Sequence, residues 1–218
     1  MSFYTITYPV LNQFVNMNTT NITSLGLSID GGYYCKINDG LYKVGYRLNL
    51  AKLSKYIREC IADKFGLDAS QCLITESHFF RGRFRMTDAK KAKRLESDRA
   101  FEDTLIENDV VFHYKHIAEM ENGSIKEKGI DVWFALETYE LAMYRDFDFV
   151  VLITGDADHE MLARKIKALK KQVVLLTWDV DRQATSPALK EEVTMHIDLD
   201  EIAKEDASLL GKICDQIN

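Results

Sequence analysis

The sequence predicts an α/β fold of three layers, α/β/α, built on a mainly parallel central sheet. Two observations lead there. Short apolar runs alternate along most of the chain with segments whose apolar residues recur at three- and four-residue steps, the pattern of repeated strand and helix units. The runs themselves, above all Phe149-Val150-Val151-Leu152-Ile153, are apolar without interruption, as in strands covered by helices on both faces.

Taken in order, Leu25 to Ile29 is the first strand, and Leu50, Leu53, Ile57 and Ile61 form the stripe of an amphipathic helix. A strand begins near Cys72. A helix from about Lys93 to Glu107 leads into the strand Val110-Val111-Phe112, and Val132, Leu136, Tyr139 and Met143 mark the stripe of the next helix. After the strand Phe149 to Ile153, Ile166 and Leu169 lie on a helix that leads into Val173 to Leu176. Val193 to Ile197 is a last short strand, and Leu199 to Ile217 is expected to be helical. Before this series, Phe3 to Tyr8 alternates as an edge strand would, and Asn16 to Thr23 is polar and turn-prone. The organisation expected is therefore an N-terminal extension over 1–24, one domain over 25–198, and a C-terminal helical segment over 199–218 packed on it.

Composition bounds the function. With 218 residues, 46% of them hydrophobic, the chain can bury one substantial core, and two prolines leave little room for a linker. Cys35, Cys60, Cys72 and Cys214 form no C-x-x-C pair and have no zinc-like spacing, and no signal peptide is present, so buried thiols in a cytoplasmic protein are expected. No apolar run approaches the roughly 20 residues of a membrane span. A net charge of −6 argues against nonspecific coating of nucleic acid. Yet Arg81, Arg83, Arg85, Lys90, Lys91, Lys93 and Arg94 stand together against the single acid Asp88. Such a segment either docks a polyanion or is a solvated loop and helix face.

Three acidic motifs carry the chemistry: Ser28-Ile29-Asp30-Gly31-Gly32, Lys128-Gly129-Ile130-Asp131 and Thr154-Gly155-Asp156-Ala157-Asp158. Each lies where an apolar strand ends or a helix begins, so an open parallel sheet brings Asp30, Asp131, Asp156 and Asp158 to one edge. Clustered like charges cost folding energy, and a divalent cation with oxygen ligands is the usual compensation, which points to Mg²⁺ or Mn²⁺. Gly31-Gly32 is expected to let the backbone turn sharply after Asp30. The bland alternative for Asp131 is a helix-start charge or cap. His113 and His116 fall on opposite faces of one strand, poor geometry for a shared metal.

These motifs, in this order and at these separations, resemble the NYN domain, a PIN-like ribonuclease group with a Rossmann-like sheet. The resemblance runs from about Leu25 to His196. It implies that Asp30, Asp131, Asp156 and Asp158 are the metal-binding acids, and that one or two bound Mg²⁺ or Mn²⁺ ions orient a water for in-line attack on an RNA phosphodiester. Two positions depart from the family pattern: Tyr33 stands where many members carry Asn, and His159 where they carry an aromatic. Among further contacts, Lys128 is expected to meet a phosphate or hold an acid, and Thr154 to bond substrate or close the strand turn. Tyr33 is expected to stack on a base or pack internally, His159 to touch substrate or lie on a helix surface, and Arg81, Arg83 and Arg85 to bind phosphates. RNA is the expected partner, with no membrane and with a homodimer left open. A non-catalytic RNA-binding module and a phosphatase of another α/β family are the alternatives, though Gly32, where a second Asp would stand, disfavours the haloacid-dehalogenase pattern.

Overall fold

A computed structural model describes residues 22–91, 93–119, 125–126, 129–178 and 185–217. The strand β1 (Thr23–Asp30) runs directly into the helix α1 (Gly31–Tyr42), followed by β2 (Tyr46–Leu48), α2 (Leu50–Phe65) and β3 (Cys72–Phe84). Next come α3 (Met86–Lys91), α4 (Leu95–Glu107), β4 (Val110–Glu119), β5 (Ile125–Lys126) and α5 (Ile130–Tyr144). The last part holds β6 (Phe149–Ile153), a 3-10 turn (Ala157–His159), α6 (Glu160–Ala168), β7 (Gln172–Thr177), α7 (Pro187–Glu192) and β8 (Met195–Asp198). It ends with α8 (Leu199–Glu205), α9 (Leu209–Ile213) and β9 (Cys214–Gln216).

The main sheet has the order β5-β4-β3-β1-β6-β7-β8, and every pairing in it is parallel except β4 with β5. The chain thus fills the sheet outward from β1, first to one side and then to the other. Alternation along each strand supplies two cores. Leu25, Leu27, Ile29, Val151 and Ile153 face α1, α2 and α9, while Phe80, Val150, Leu152 and Val173 face α5, α6 and α7. Three layers result, as the uninterrupted apolar runs predict. No helix among the described residues is long and apolar enough to cross a membrane.

Four expectations need correction. Gly31-Gly32 is no turn: α1 starts at Gly31, because Asp30 caps it by accepting hydrogen bonds from the backbone N–H of Gly32 and Tyr33 at 2.9 and 3.1 Å. The helix α5 exists, but its buried face is Ile130, Phe134, Thr138 and Ala142, leaving Val132 62% and Leu136 65% exposed. Its apolar residues encircle it, so two stripes fit the helical period, and the Thr138 hydroxyl donating to Ser28 Oγ at 2.9 Å marks the inward one. Arg81 and Arg83 lie on β3 itself, alternating with Phe80, Gly82 and Phe84, and are no loop. The chain from Leu199 is not wholly helical, since β9 pairs antiparallel with β2. The expected edge strand at Phe3 to Tyr8 lies outside the described residues.

Candidate functional site

The strand order reverses beside β1, so the connections after β1 and β6 leave in opposite directions and open a crevice at the carboxyl edge of the sheet. Ile29 pairs with Ile153, which brings Asp30 and Thr154 out at one level from neighbouring strands. Asp131 joins them from the first turn of α5. Asp30, Asp131 and Asp156 line this crevice together with Tyr33, Lys36 and Ser186.

Asp30 is the most constrained of the acids. Beyond capping α1 through Oδ1, it accepts at Oδ2 a 3.3 Å bond from the Thr154 hydroxyl, whose oxygen in turn accepts the Asp156 backbone N–H at 3.3 Å. Burial raises the Asp30 carboxyl above its ordinary pKa, and the Asp131 charge adds to the rise. The N–H groups of Tyr33 and Gly32 and the His159 ring oppose it. Asp156 caps the 3-10 turn by accepting the Asp158 N–H at 3.0 Å. Of the two helix-start readings of Asp131, the cap fails, because Gly129 precedes α5 with no side-chain cap, while its place as an acid in the first turn holds. Two glycines permit the close approach. A Cβ on Gly31 would fall 2.6 Å from the Phe79 ring and the Phe80 carbonyl, and one on Gly155 would fall 2.8 Å from the Tyr33 ring.

The other expected residues divide. Thr154 is 0% exposed, and its hydroxyl reaches Asp30 and closes the turn after β6 by accepting the Asp156 N–H. Tyr33 lines the crevice, and its hydroxyl accepts the Trp178 N–H at 2.9 Å, tying α1 to the end of β7. His159 is neither at the surface nor open to substrate. It is 1% exposed, packs against Phe134 with ring centroids 4.6 Å apart and the rings tilted by 37°, and has no hydrogen-bond partner for either ring nitrogen among the described residues. Burial pushes its imidazole pKa down, against the pull of the nearby carboxylates, Asp30 foremost. Asp158 is exposed on the turn beside the crevice. Lys128 lies outside the described residues.

Of the arginines, Arg83 is committed internally, its Nη2 2.6 Å from Glu102 Oε1 and its guanidinium 5.3 Å from the Tyr114 ring centroid. Arg81 and Arg94 line a second cleft with Cys35 and Tyr114, and this cleft meets the acidic crevice at Gly32. Arg85 is exposed. His113 turns toward α5, stacking on Phe80 and lying 3.0 Å from His78 Nδ1, whereas His116 is exposed, so the two do not converge. Lys36 and Ser186 escaped the sequence reading. Lys36 sits one turn along α1, a helix hidden by its glycines. Ser186-Pro187 carries a readable cap signature, with Ser186 Oγ accepting the Leu189 N–H and Pro at the first helical position.

The fold and crevice define a doubly wound α/β protein with its acids at the switch point of the sheet. A family model for the NYN domain matches residues 32–200, and the chain belongs to that family. This is a PIN-like nuclease family whose members generally use divalent metals, which supports a nuclease-type function. The match includes Asp131, Asp156 and Asp158, and Asp30 stands just before its start. No curated protein and no solved structure matches the chain.

Proposed function

We propose that the chain is a metal-dependent ribonuclease that holds Mg²⁺ or Mn²⁺ at Asp30, Asp131, Asp156 and Asp158. The observation that carries this reading is the convergence of carboxylates from β1, α5 and the turn after β6 on one crevice, at the edge where doubly wound sheets bind ligands. The donors fit a hard divalent cation in kind, being all carboxylate oxygens. Among the described residues no three acidic, histidine or cysteine groups enclose an ion as they stand. Asp131, Asp156 and Asp158 are exposed, however, Asp156 with one carboxylate oxygen engaged by the Asp158 N–H, while Asp30 is fixed.

A bound divalent cation supplies the charge that polarises a phosphodiester and makes water acidic enough to attack it. The chain's own residues do the rest. Asp30, held by Thr154 and by the start of α1, sets the position around which the exposed acids gather. Lys36, exposed at the crevice, offers an ammonium to a substrate phosphate, and Lys128 either does the same or pairs with an acid. The RNA strand continues past Gly32 into the second cleft, where Arg81 and Arg94 meet its next phosphates. Water is the nucleophile, so the cysteines are spectators; all four are free, Cys72 and Cys214 buried and Cys35 and Cys60 only partly so. Labelled single-stranded RNA, the matching DNA and a phosphomonoester, each incubated with Mn²⁺ or EDTA, test the reading. Metal-dependent cleavage of RNA alone supports it; release of phosphate from the monoester, or tight RNA binding without cleavage, would replace it with a phosphatase or a binding module.

A further inference from the structure

The second cleft is lined by more than a path for phosphates needs. Residues of β3, β4 and α4 build it, and it shares Gly32 with the acidic crevice. Its volume of about 190 Å³ is several times the roughly 30 Å³ share of one water, so it has room for a flat ring system. Three kinds of side chain line it. Arg81 and Arg94 are cations, Phe101 and Tyr114 are aromatic, and Asp98 and Glu102 are acids one turn apart on α4. Phe101 is held in place by Tyr34 and Phe79, whose ring centroids lie 5.8 and 5.2 Å away. Glu102 is engaged by Arg83 at 2.6 Å, whereas the half-buried Asp98 carboxylate has no hydrogen-bond or ion-pair partner among the described residues.

A carboxylate in a cleft that took phosphate alone would repel its ligand. What enters must offer hydrogen-bond donors to Asp98 as well as negative charge to the arginines, and a nucleotide of a single strand does both, because its Watson–Crick edge is open. The bases differ in that edge. Guanine places two donors side by side, N1–H and the N2 amine, which match the two oxygens of one carboxylate. Adenine and cytosine set one amine beside an acceptor nitrogen that a carboxylate repels, and uracil has a single N–H between two carbonyls. We propose that the second cleft reads a guanine base in the RNA strand beside the nucleotide held at the acidic crevice, with Asp98 as the residue that specifies it. This rests on the reading of the chain as a ribonuclease. Phe101 and Tyr114 take the flat face of the base, and Arg81 and Arg94 take the phosphates beside it.

The test measures, by fluorescence anisotropy in Ca²⁺, binding of the full chain to a short labelled oligoadenylate and to the same strand with one central guanosine or one central inosine, which lacks the N2 amine. Wild type is expected to bind the guanosine strand roughly ten- to a hundredfold more tightly than the oligoadenylate, the range of one bidentate base contact, with the inosine strand between them. Asp98→Asn replaces one acceptor by a donor, so it should abolish that preference. Equal wild-type affinity for the guanosine and adenosine strands overturns the assignment, and so does inosine bound as tightly as guanosine; neither readout depends on the variant. A guanosine preference that survives in Asp98→Asn removes the role of Asp98. Cleavage in Mn²⁺ separates this inference from the reading beneath it. RNA cut without regard to sequence leaves the ribonuclease and removes the guanine cleft, whereas a guanosine preference without cleavage leaves the cleft and removes the ribonuclease. If no strand binds and none is cut, both fall together.

Discussion

Replacing Thr154 with valine removes one hydroxyl and little volume, at a site without solvent access. That hydroxyl joins two acids of the crevice, donating to Asp30 Oδ2 and accepting from the Asp156 N–H, each at 3.3 Å. Hydrogen bonds to charged groups contribute about 1.5–3 kcal/mol, and a 3.3 Å length places this one near the lower end. Asp156 is exposed, so its freed N–H regains water and adds little. The expected loss is about 2 kcal/mol, or roughly 4–8 °C in Tm for a chain of this size. Equilibrium urea unfolding in EDTA measures it, and Thr154→Ser, which keeps the hydroxyl, serves as the control. Mn²⁺ affinity should fall by about tenfold in the valine variant, because the group that orients Asp30 is gone. Wild-type stability together with wild-type Mn²⁺ affinity in Thr154→Val would refute the idea that this hydroxyl organises the acids.

Asp30→Asn should hold or gain stability in metal-free buffer at neutral pH, since burial penalises the carboxylate while the amide keeps the bonds to α1. The folded-state pKa of Asp30 is raised, so the cost of its charge is fully present above that pKa and is relieved as pH falls through it toward the ordinary 3.8. Wild type should therefore gain on Asp30→Asn over that window in pH-dependent unfolding, and a parallel pair of curves would count against the burial argument. The arginines separate by role. Arg81→Ala/Arg94→Ala should flatten the salt dependence of RNA binding, measured in Ca²⁺, by roughly 0.7 in log–log slope for each phosphate left without its arginine. Arg83→Ala should leave the slope alone and cost about 1–3 kcal/mol by stranding the largely buried Glu102; the reverse pattern would put the RNA elsewhere.

What the sequence revealed and what it hid follow from the range of the forces involved. Strand ends were readable at Asp30 and Asp156 because Leu25 to Ile29 and Phe149 to Ile153 are covered on both faces and must be apolar throughout. The helix α1 was hidden because Gly31, Gly32 and Gly40 resemble turn residues, while the reason for Gly31, its contact with Phe79 and Phe80, lies on another strand. The inward face of α5 was ambiguous because Val132, Leu136 and Met143 fit the helical period as well as Phe134 and Ala142 do. Local charge density left open whether the basic segment docks a polyanion or is a solvated loop and helix face. In fact Arg83 is fixed by Glu102 from α4, and Arg81 packs by the start of α1. The burial of His159 and the Thr154 bridge to Asp30 are tertiary facts, set by α5 and β1, and no spacing within their own motif encodes them.

The decisive measurement is the rate of Mn²⁺-dependent cleavage of an end-labelled single-stranded RNA by wild type and by Asp156→Asn, with circular dichroism showing both folded. If the crevice performs the hydrolysis, wild type cleaves, EDTA stops it, and Asp156→Asn, which keeps an oxygen for the Asp158 N–H but removes a charge from the metal site, cleaves at least about a hundredfold more slowly. Cleavage by the folded variant at the wild-type rate, or cleavage that persists in EDTA, would show that the aspartates cap helices and that the chemistry, if any, lies elsewhere.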